Sequence, residues 1–170
     1  MSISAANFTS RPPTAAGHFY DADPHFLRAE VGRLLAKAPR PTTSGQPKAI
    51  IAPHAGYLYS GQVAAAALVS LERWAEAIKR VVLIGPAHYV RFRGLAIPTV
   101  GAFGTPIGPV ALDRDALTAI ATMASVKSTD APHTPEHALE VELPFLQMLL
   151  PGFKAVPLLV GDAAPASGGS

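Results

Sequence analysis

The sequence predicts an α/β fold in which parallel strands are covered on both faces. Two short, continuous apolar runs lie at residues 48–52 and 80–84, and a helical pattern separates them. This order of elements, with strands that are apolar throughout, is typical of buried parallel strands. Apolar residues make up 49% of the 170 residues and charged residues only 15%, a composition that favours a globular domain with a real core.

The first helix is predicted over residues 24–38. Asp23 is a good N-cap, Pro24 suits the first helical position, and Pro39 ends the element. Apolar residues recur between them at helical spacing, at Leu27, Val31, Leu34, Leu35 and Ala38.

Three further helices are predicted. Ser60 is expected to cap the second, whose apolar face would consist of Val63, Ala67, Leu68 and Leu71. Asp113 is expected to cap the third. The fourth runs from about 137 to 150, with Pro144 either kinking it or marking its first turn.

Two more strands complete the predicted elements, at 94–98 and 153–160. Pro157 disfavours a central, fully paired position for the second of these, because proline has no N–H to donate. The stretch 101–110 is rich in Gly and Pro and is expected to be irregular. The domain is therefore expected to cover residues 1–162, followed by a disordered tail at 163–170.

Composition narrows the classes of function. The chain has no cysteine, which removes disulfides, thiolate nucleophiles and zinc–thiolate sites. Its net charge is only +2 and its basic residues are scattered, so no nucleic-acid-binding stripe is expected. No window of 18 apolar residues and no signal peptide are found in the sequence, so the cytoplasm is the expected compartment.

Two histidines share one local pattern. His54 follows Ile50-Ile51-Ala52-Pro53, and His88 follows Leu83-Ile84-Gly85-Pro86-Ala87, so each comes after a strand, a small residue and a proline. If the strands are parallel neighbours, both rings emerge at the carboxyl edge of the sheet, where open α/β sheets bind ligands. Imidazole is a ligand for Fe, Cu, Zn and Ni. The alternative is that both are loop residues hydrogen-bonded to the backbone; the repeated pattern favours a metal site.

A second cluster of functional side chains lies at 133–142. His137 and Glu140 are three residues apart and share a helix face, so they are candidates for a catalytic base and its orienting carboxylate, or for further metal ligands. For Glu136 and Glu142 the alternative is a helix start whose carboxylates favour the positive end of the dipole.

Aromatic residues flank the first histidine motif and an earlier turn. Tyr57, Tyr59, Phe19 and Tyr20 are candidates to line a pocket, and core packing is the alternative for each.

These motifs resemble those of the Memo family, whose bacterial members are called AmmeMemoRadiSam system protein B. The similar blocks are Ile51–Gly61, Leu83–His88, Thr105–Gly108 with Asp113, and Glu136–Leu146. The turn Ala16-Gly17-His18-Phe19-Tyr20 matches the family's N-terminal motif, with Phe19 where Trp is usual.

The resemblance implies a fold like that of class III extradiol dioxygenases, a three-layer α/β/α sandwich with a mainly parallel central sheet. It also implies a non-haem metal pocket, with His54 and His88 at the positions of metal-ligand histidines and Fe(II) or Cu as the metal. The implied partners are a radical SAM protein and an AMMECR-like protein. Family members are longer, and their second half supplies an Asp-x-x-His segment and a cysteine near the metal. The chain is therefore expected to be a truncated N-terminal portion of that domain, incomplete at its C-terminal side.

Three functions remain open from the sequence. The first is a metal-dependent, dioxygenase-like oxidoreductase, with His137 in proton transfer. The second is a non-catalytic module, or an inactive fragment, that holds a peptide or partner in the same pocket. The third is a metal-dependent hydrolase, disfavoured because no carboxylate adjoins His54 or His88 in sequence.

Overall fold

The structure is a computed structural model that describes residues 9–42 and 45–162, and it confirms the α/β class. The predicted tail at 163–170 lies outside the described residues. The helices are α1 (Pro24–Lys37), α2 (Tyr57–Leu68), α3 (Arg114–Ala121) and α4 (Leu143–Leu149). The strands are β1 (Ser10–Arg11), β2 (Arg80–Pro86), β3 (Leu95–Ile97), β4 (Ala102–Phe103), β5 (Val110–Ala111), β6 (Val126–Ser128) and β7 (Lys154–Val160). None of the helices in this part of the chain is long and apolar enough to cross a membrane.

The strands form two sheets of mixed direction. The larger has the order β2-β7-β3-β6, with β2 parallel to β7, β3 antiparallel to β7, and β6 parallel to β3. The smaller, β1-β4-β5, also combines a parallel and an antiparallel pair. The expectation of a mainly parallel sheet was therefore wrong. Strand β3 follows β2 through a loop without a helix, and such a connection does not require the parallel direction that a helical crossover favours.

Residues 48–52 do not form the predicted strand. Within the described residues they have no strand partner, and an apolar run becomes a strand only when another strand satisfies its backbone. The next helix, α2, begins at Tyr57, three residues before the predicted cap. Ser60 is buried inside α2 and donates from Oγ to the carbonyl of Ala55 at 3.0 Å. The buried face consequently differs from the predicted one: it contains Tyr57, Ala64 and Leu68, while Val63 is exposed.

Strand β7 is central, contrary to the expectation from Pro157. It pairs with β2 along its whole length, but β3 reaches only Leu159 and Val160. Pro157 therefore has no strand partner on the β3 side, so the backbone N–H that proline lacks is not needed for a hydrogen bond to β3. Both faces of β7 are covered, since its residues from Ala155 to Leu159 are buried.

The helix predictions for α1 and α3 agree with the structure at their starts, whereas α4 begins at Leu143 and not near residue 137, so His137 and Glu140 do not share a helix face. Asp23 caps α1 by accepting from the backbone N–H groups of His25 and Phe26, and Asp113 caps α3 by accepting from Ala116. Pro144 lies in the first turn of α4, which a 3₁₀ turn at Glu140–Glu142 precedes. Helices α1, α2 and α4 pack on one another, and their buried side chains belong to the same hydrophobic core as those of β7. Residues 136–139 lie against the carboxyl end of β2, where Glu136 accepts from the backbone N–H of His88 and Leu139 lies beside Gly85.

Candidate metal centre

His88 lies two residues beyond the end of β2 and is held by a buried carboxylate. Its backbone N–H donates to Oε2 of Glu136 at 2.6 Å, and its Nδ1 lies 2.8 Å from Oε1 of the same residue. Because an ionised carboxylate only accepts, Nδ1 carries the proton in this pair. In the neutral ring Nε2 then keeps its lone pair, the arrangement found where a carboxylate orients a metal-ligating histidine.

Glu136 is held in the ionised form by its neighbours. Burial alone would raise its pKa, but hydrogen bonds from the ring and backbone of His88 and from the backbone N–H of Ala138 outweigh it, and the pKa is lowered. The backbone N–H of His137 donates to the same carboxylate at 3.0 Å. Four donors thus surround this side chain, which suits a role in orienting the neighbouring rings.

His137 supplies a second imidazole at the same place. Its ring stacks on that of His88, with centroids 4.8 Å apart, and on Phe19 at 4.2 Å. Burial lowers the pKa of His137; the carboxylate of Glu136 opposes this effect, and His88 and His54 add to it. A lowered pKa favours the neutral ring, which is the form that binds metals.

The ligand atoms of His88, Glu136 and His137 lie within 4.8 Å of one another, so this group could hold a metal ion. His54 borders the group: its ring centroid is 5.3 Å from that of His88 and 6.0 Å from that of His137. Two or three imidazoles with a carboxylate behind them are a donor set suited to Fe, Cu or Zn. The residues present therefore fit a divalent transition metal.

The structure brings His54 and His88 together, as the repeated motif predicts, and it adds His137, which the sequence suggested as a base. Glu140, the other proposed catalytic residue, lies elsewhere. It is fully buried, pairs with Arg11 at 2.7 Å and accepts from Tyr20 Oη at 2.5 Å. These contacts tie the N-terminal segment to the 3₁₀ turn before α4.

A cavity of about 810 Å³ opens beside the histidines. Of the aromatic residues proposed to line a pocket, Phe19 and Tyr59 line it, together with Ile51, His54 and His137. Tyr20 and Tyr57 are buried in the core instead, and Tyr57 Oη donates to the carbonyl of Val141 at 2.7 Å.

Two contacts of the site could not be predicted from the sequence. Glu136 belongs to the candidate cluster at 133–142, with a helix-start carboxylate as the alternative, but nothing local indicates that it contacts a histidine 48 residues earlier. The Oη of Tyr89 lies 3.3 Å from Nδ1 of His137, and the sequence around Tyr89 contains no motif that indicates this contact, apart from its position directly after His88. Gly85 is closely packed, since a Cβ there would lie 2.8 Å from the Leu139 side chain.

Comparison with known proteins gives one consistent family. The sequence model of Memo-like proteins matches residues 11–167. A MEMO1 family protein of Caldivirga maquilingensis is 34% identical over 163 residues, covering 89% of this chain and 56% of that protein. One from Methanopyrus kandleri is 37% identical over 157 residues, covering 87% of this chain and 55% of that protein. One from Thermotoga maritima is 31% identical over 166 residues, covering 92% and 60%. The chain thus spans little more than half the length of these relatives.

Proposed function

Since the chain belongs to the Memo-like protein family, we propose that it binds a divalent transition metal between His88 and His137, beside His54. The observation that carries this proposal is the convergence of three imidazole rings from three separate segments, with centroids 4.8 to 6.0 Å apart. Loop histidines bonded only to nearby backbone have no reason to converge in this way. The buried carboxylate of Glu136 behind His88 strengthens the argument, because it fixes the ring orientation.

We propose Fe(II) or Cu as the metal and a dioxygenase-like oxidoreductase as the activity. A bound metal of this kind would supply a redox-active Lewis acid at the mouth of the cavity. The chain's own residues would hold and orient it: Glu136 keeps the proton on Nδ1 of His88, and the neutral state of His137 leaves a nitrogen lone pair. Phe19 covers one face of the His137 ring and limits its access to water.

The test is a metal titration with matched histidine variants. Wild-type protein, His88→Ala, His137→Ala and the control His25→Ala are titrated with Fe(II) under anaerobic conditions, and with Cu(II) and Zn(II). His25 lies at the exposed start of α1, so its loss should leave uptake unchanged. We expect one metal per wild-type chain and at least tenfold weaker binding in each site variant. Equal uptake by all four proteins would end the proposal.

The second candidate is a non-catalytic module that holds a peptide in the same cavity. The observation that favours it is the apolar wall formed by Phe19, Ile51 and Tyr59 around the histidines. Oxygen consumption by the metal-loaded protein, with ascorbate as the reductant, separates the two candidates. A dependence on His88 supports the oxidoreductase, whereas metal binding without any consumption favours the module.

The partners and compartment are proposed from the family resemblance alone. A radical SAM protein and an AMMECR-like protein in the cytoplasm are the partners to test. Co-expression with each, followed by affinity capture of this chain, should retain a partner. Capture of neither protein, with the metal present or absent, would count against this part of the proposal.

A further inference from the structure

A second cavity lies at the opposite end of the larger sheet from the histidines. It has a volume of about 620 Å³, and the first residues of β2 and β7, with the residues just before them, form most of its lining. Strand β2 runs from Arg80 to Pro86, and His88 follows its carboxyl end. At about 3.3 Å per residue, the length of β2 separates this cavity from the candidate metal centre by about 20 Å.

Three basic side chains line this cavity. Lys79 immediately precedes β2, Arg80 is the first residue of β2, and Lys154 is the first residue of β7. Arg80 is opposite Lys154 in the parallel register, and the carbonyl of Lys79 accepts from the backbone N–H of Lys154 at 3.0 Å. The pairing of the two strands therefore brings the three cations to one end of the sheet. We call the cavity lined by Lys79, Arg80, Lys154 and Asp113 the basic cavity.

Asp113 is the acidic residue in the described lining, and both of its carboxylate oxygens are already used. Oδ1 caps α3 by accepting from the backbone N–H of Ala116, and Oδ2 accepts from Nε of Arg80 at 2.6 Å. The hydrogen bond from Ala116 lowers the pKa of Asp113 most, and Arg80 and Lys154 lower it further, so the carboxylate is ionised at neutral pH. It can neutralise only one of the three cations.

The remaining positive charge is not neutralised within the part of the chain that the structure describes. There, Nζ of Lys154 forms no ion pair or hydrogen bond, and neither do Nη1 and Nη2 of Arg80. Nζ of Lys79 lies 3.8 Å from the carboxylate of Glu76, whose side chain is 90% exposed, and such a surface pair contributes little. Because like charges on neighbouring strands destabilise a sheet, a bound anion would stabilise this arrangement.

A phosphoryl group matches the charge of the basic cavity. Three cations and one carboxylate leave two positive charges, and a phosphate monoester carries about 1.5 to 2 negative charges at pH 7, whereas a carboxylate would supply only one. The free donors of the Arg80 guanidinium have the planar arrangement that phosphate oxygens accept, and lysine binds phosphate as a point charge. A volume of about 620 Å³ also lies within the range of small-molecule sites, roughly 300–1,000 Å³.

We propose that the basic cavity binds a phosphoryl group, either inorganic phosphate or the phosphate of a small phosphorylated molecule. The free guanidinium donors of Arg80 contact the phosphoryl oxygens, and the ammonium groups of Lys79 and Lys154 neutralise their charge. This inference does not depend on the proposed metal, because the basic cavity shares no residue with the histidine cluster.

The experiment is an isothermal calorimetric titration of the metal-free chain with inorganic phosphate, glycerol 2-phosphate and acetate, at low ionic strength. The site variant is Lys79→Gln with Lys154→Gln. The matched control is Lys37→Gln with Lys127→Gln, which removes the same two charges from exposed positions at the end of α1 and in β6. Circular dichroism of each chain verifies that the variants fold, as expected for substitutions at exposed positions.

We expect one phosphoryl ligand per chain, bound at least tenfold more tightly than acetate and more weakly as NaCl is added. The site variant should bind it at least tenfold more weakly than the wild type, and the control should remain within about twofold. Tighter binding of glycerol 2-phosphate than of inorganic phosphate would identify a phosphorylated molecule as the ligand, and equal or weaker binding would identify free phosphate.

Three results would overturn the proposal. The first is the absence of saturable binding of either phosphoryl ligand at millimolar concentrations. The second is acetate binding as tight as phosphate binding, which would indicate general attraction of anions. The third is an equal loss of affinity in the site variant and the control, which would assign binding to the net charge of the chain.

Discussion

Replacing Glu142 by glutamine should stabilise the protein, and increasingly so as the pH rises. Glu142 ends the 3₁₀ turn before α4, is only 8% exposed, and neither of its carboxylate oxygens has a hydrogen-bond partner in the described chain. Burial raises its pKa from 4.5 to about 8. The folded protein therefore keeps the proton at neutral pH, whereas the unfolded chain releases it.

The sign and size of the effect follow from this difference. Because the folded pKa is raised, the contribution of Glu142 to the free energy of unfolding is most favourable below pH 4.5 and falls as the pH rises towards 8. One pH unit is worth about 1.4 kcal/mol, so the loss is about 3 kcal/mol at pH 7 and about 5 kcal/mol above pH 8. Glutamine has nearly the same shape and cannot ionise, so Glu142→Gln should recover most of this loss.

Urea unfolding, followed by circular dichroism at pH 4.5, 7 and 9, measures the effect. The control is Glu76→Gln, because the Glu76 side chain is 90% exposed and its change should remain within about 0.5 kcal/mol at every pH. The stabilisation by Glu142→Gln should be near zero at pH 4.5 and grow at pH 7 and 9. A difference that does not depend on pH, or a wild-type protein more stable than the variant at pH 9, would refute the reasoning.

Three other substitutions test the site and its support. Glu136→Gln should weaken metal binding by roughly 10- to 100-fold in a competitive titration, because it disturbs the orientation of His88; a change below twofold would contradict this. Glu140→Ala should lower the free energy of unfolding, measured in urea, by about 3–5 kcal/mol, because it leaves the buried Arg11 without its ion-pair partner. A decrease under about 1 kcal/mol would contradict this role of the ion pair. Burial lowers the pKa of His133 to about 4, so the contribution of His133 to stability should fall by about 3 kcal/mol as the pH drops from 6.5 to 4, and the stability of wild type relative to His133→Asn should fall with it in thermal unfolding. An unchanged pH dependence in this last variant would refute the role of His133.

The local features of the fold could be predicted because local chemistry determines them. Asp23 and Asp113 are N-caps in the structure as in the sequence, and β2 and β7 follow the two apolar runs at 80–84 and 153–160. Strand direction could not be predicted in this way, because an apolar run has the same composition in parallel and antiparallel pairs. The run at 48–52 shows the same limit, since it has the composition of a strand but no partner in the described chain.

The candidate site was predictable in part for a similar reason. The repeated pattern predicted that His54 and His88 lie together, and their rings are 5.3 Å apart, but only His88 follows a strand, because residues 48–52 have no strand partner in the described chain. The approach of His137 depends on tertiary packing, since its ring meets that of His88 from a segment nearly fifty residues later. Glu136 reaches His88 through the same packing, so no local pattern could reveal the carboxylate behind the ring.

The most direct test of the central claim is the position of a bound metal. Crystals of the protein loaded with Cu(II) or Zn(II) would give an anomalous difference peak that locates the ion independently of any assumed ligand. We predict one strong peak within about 2.0–2.2 Å of a ring nitrogen of both His88 and His137, the distance expected for imidazole ligands. A peak bound to other residues, or no peak at these two histidines in metal-loaded crystals, would contradict the account.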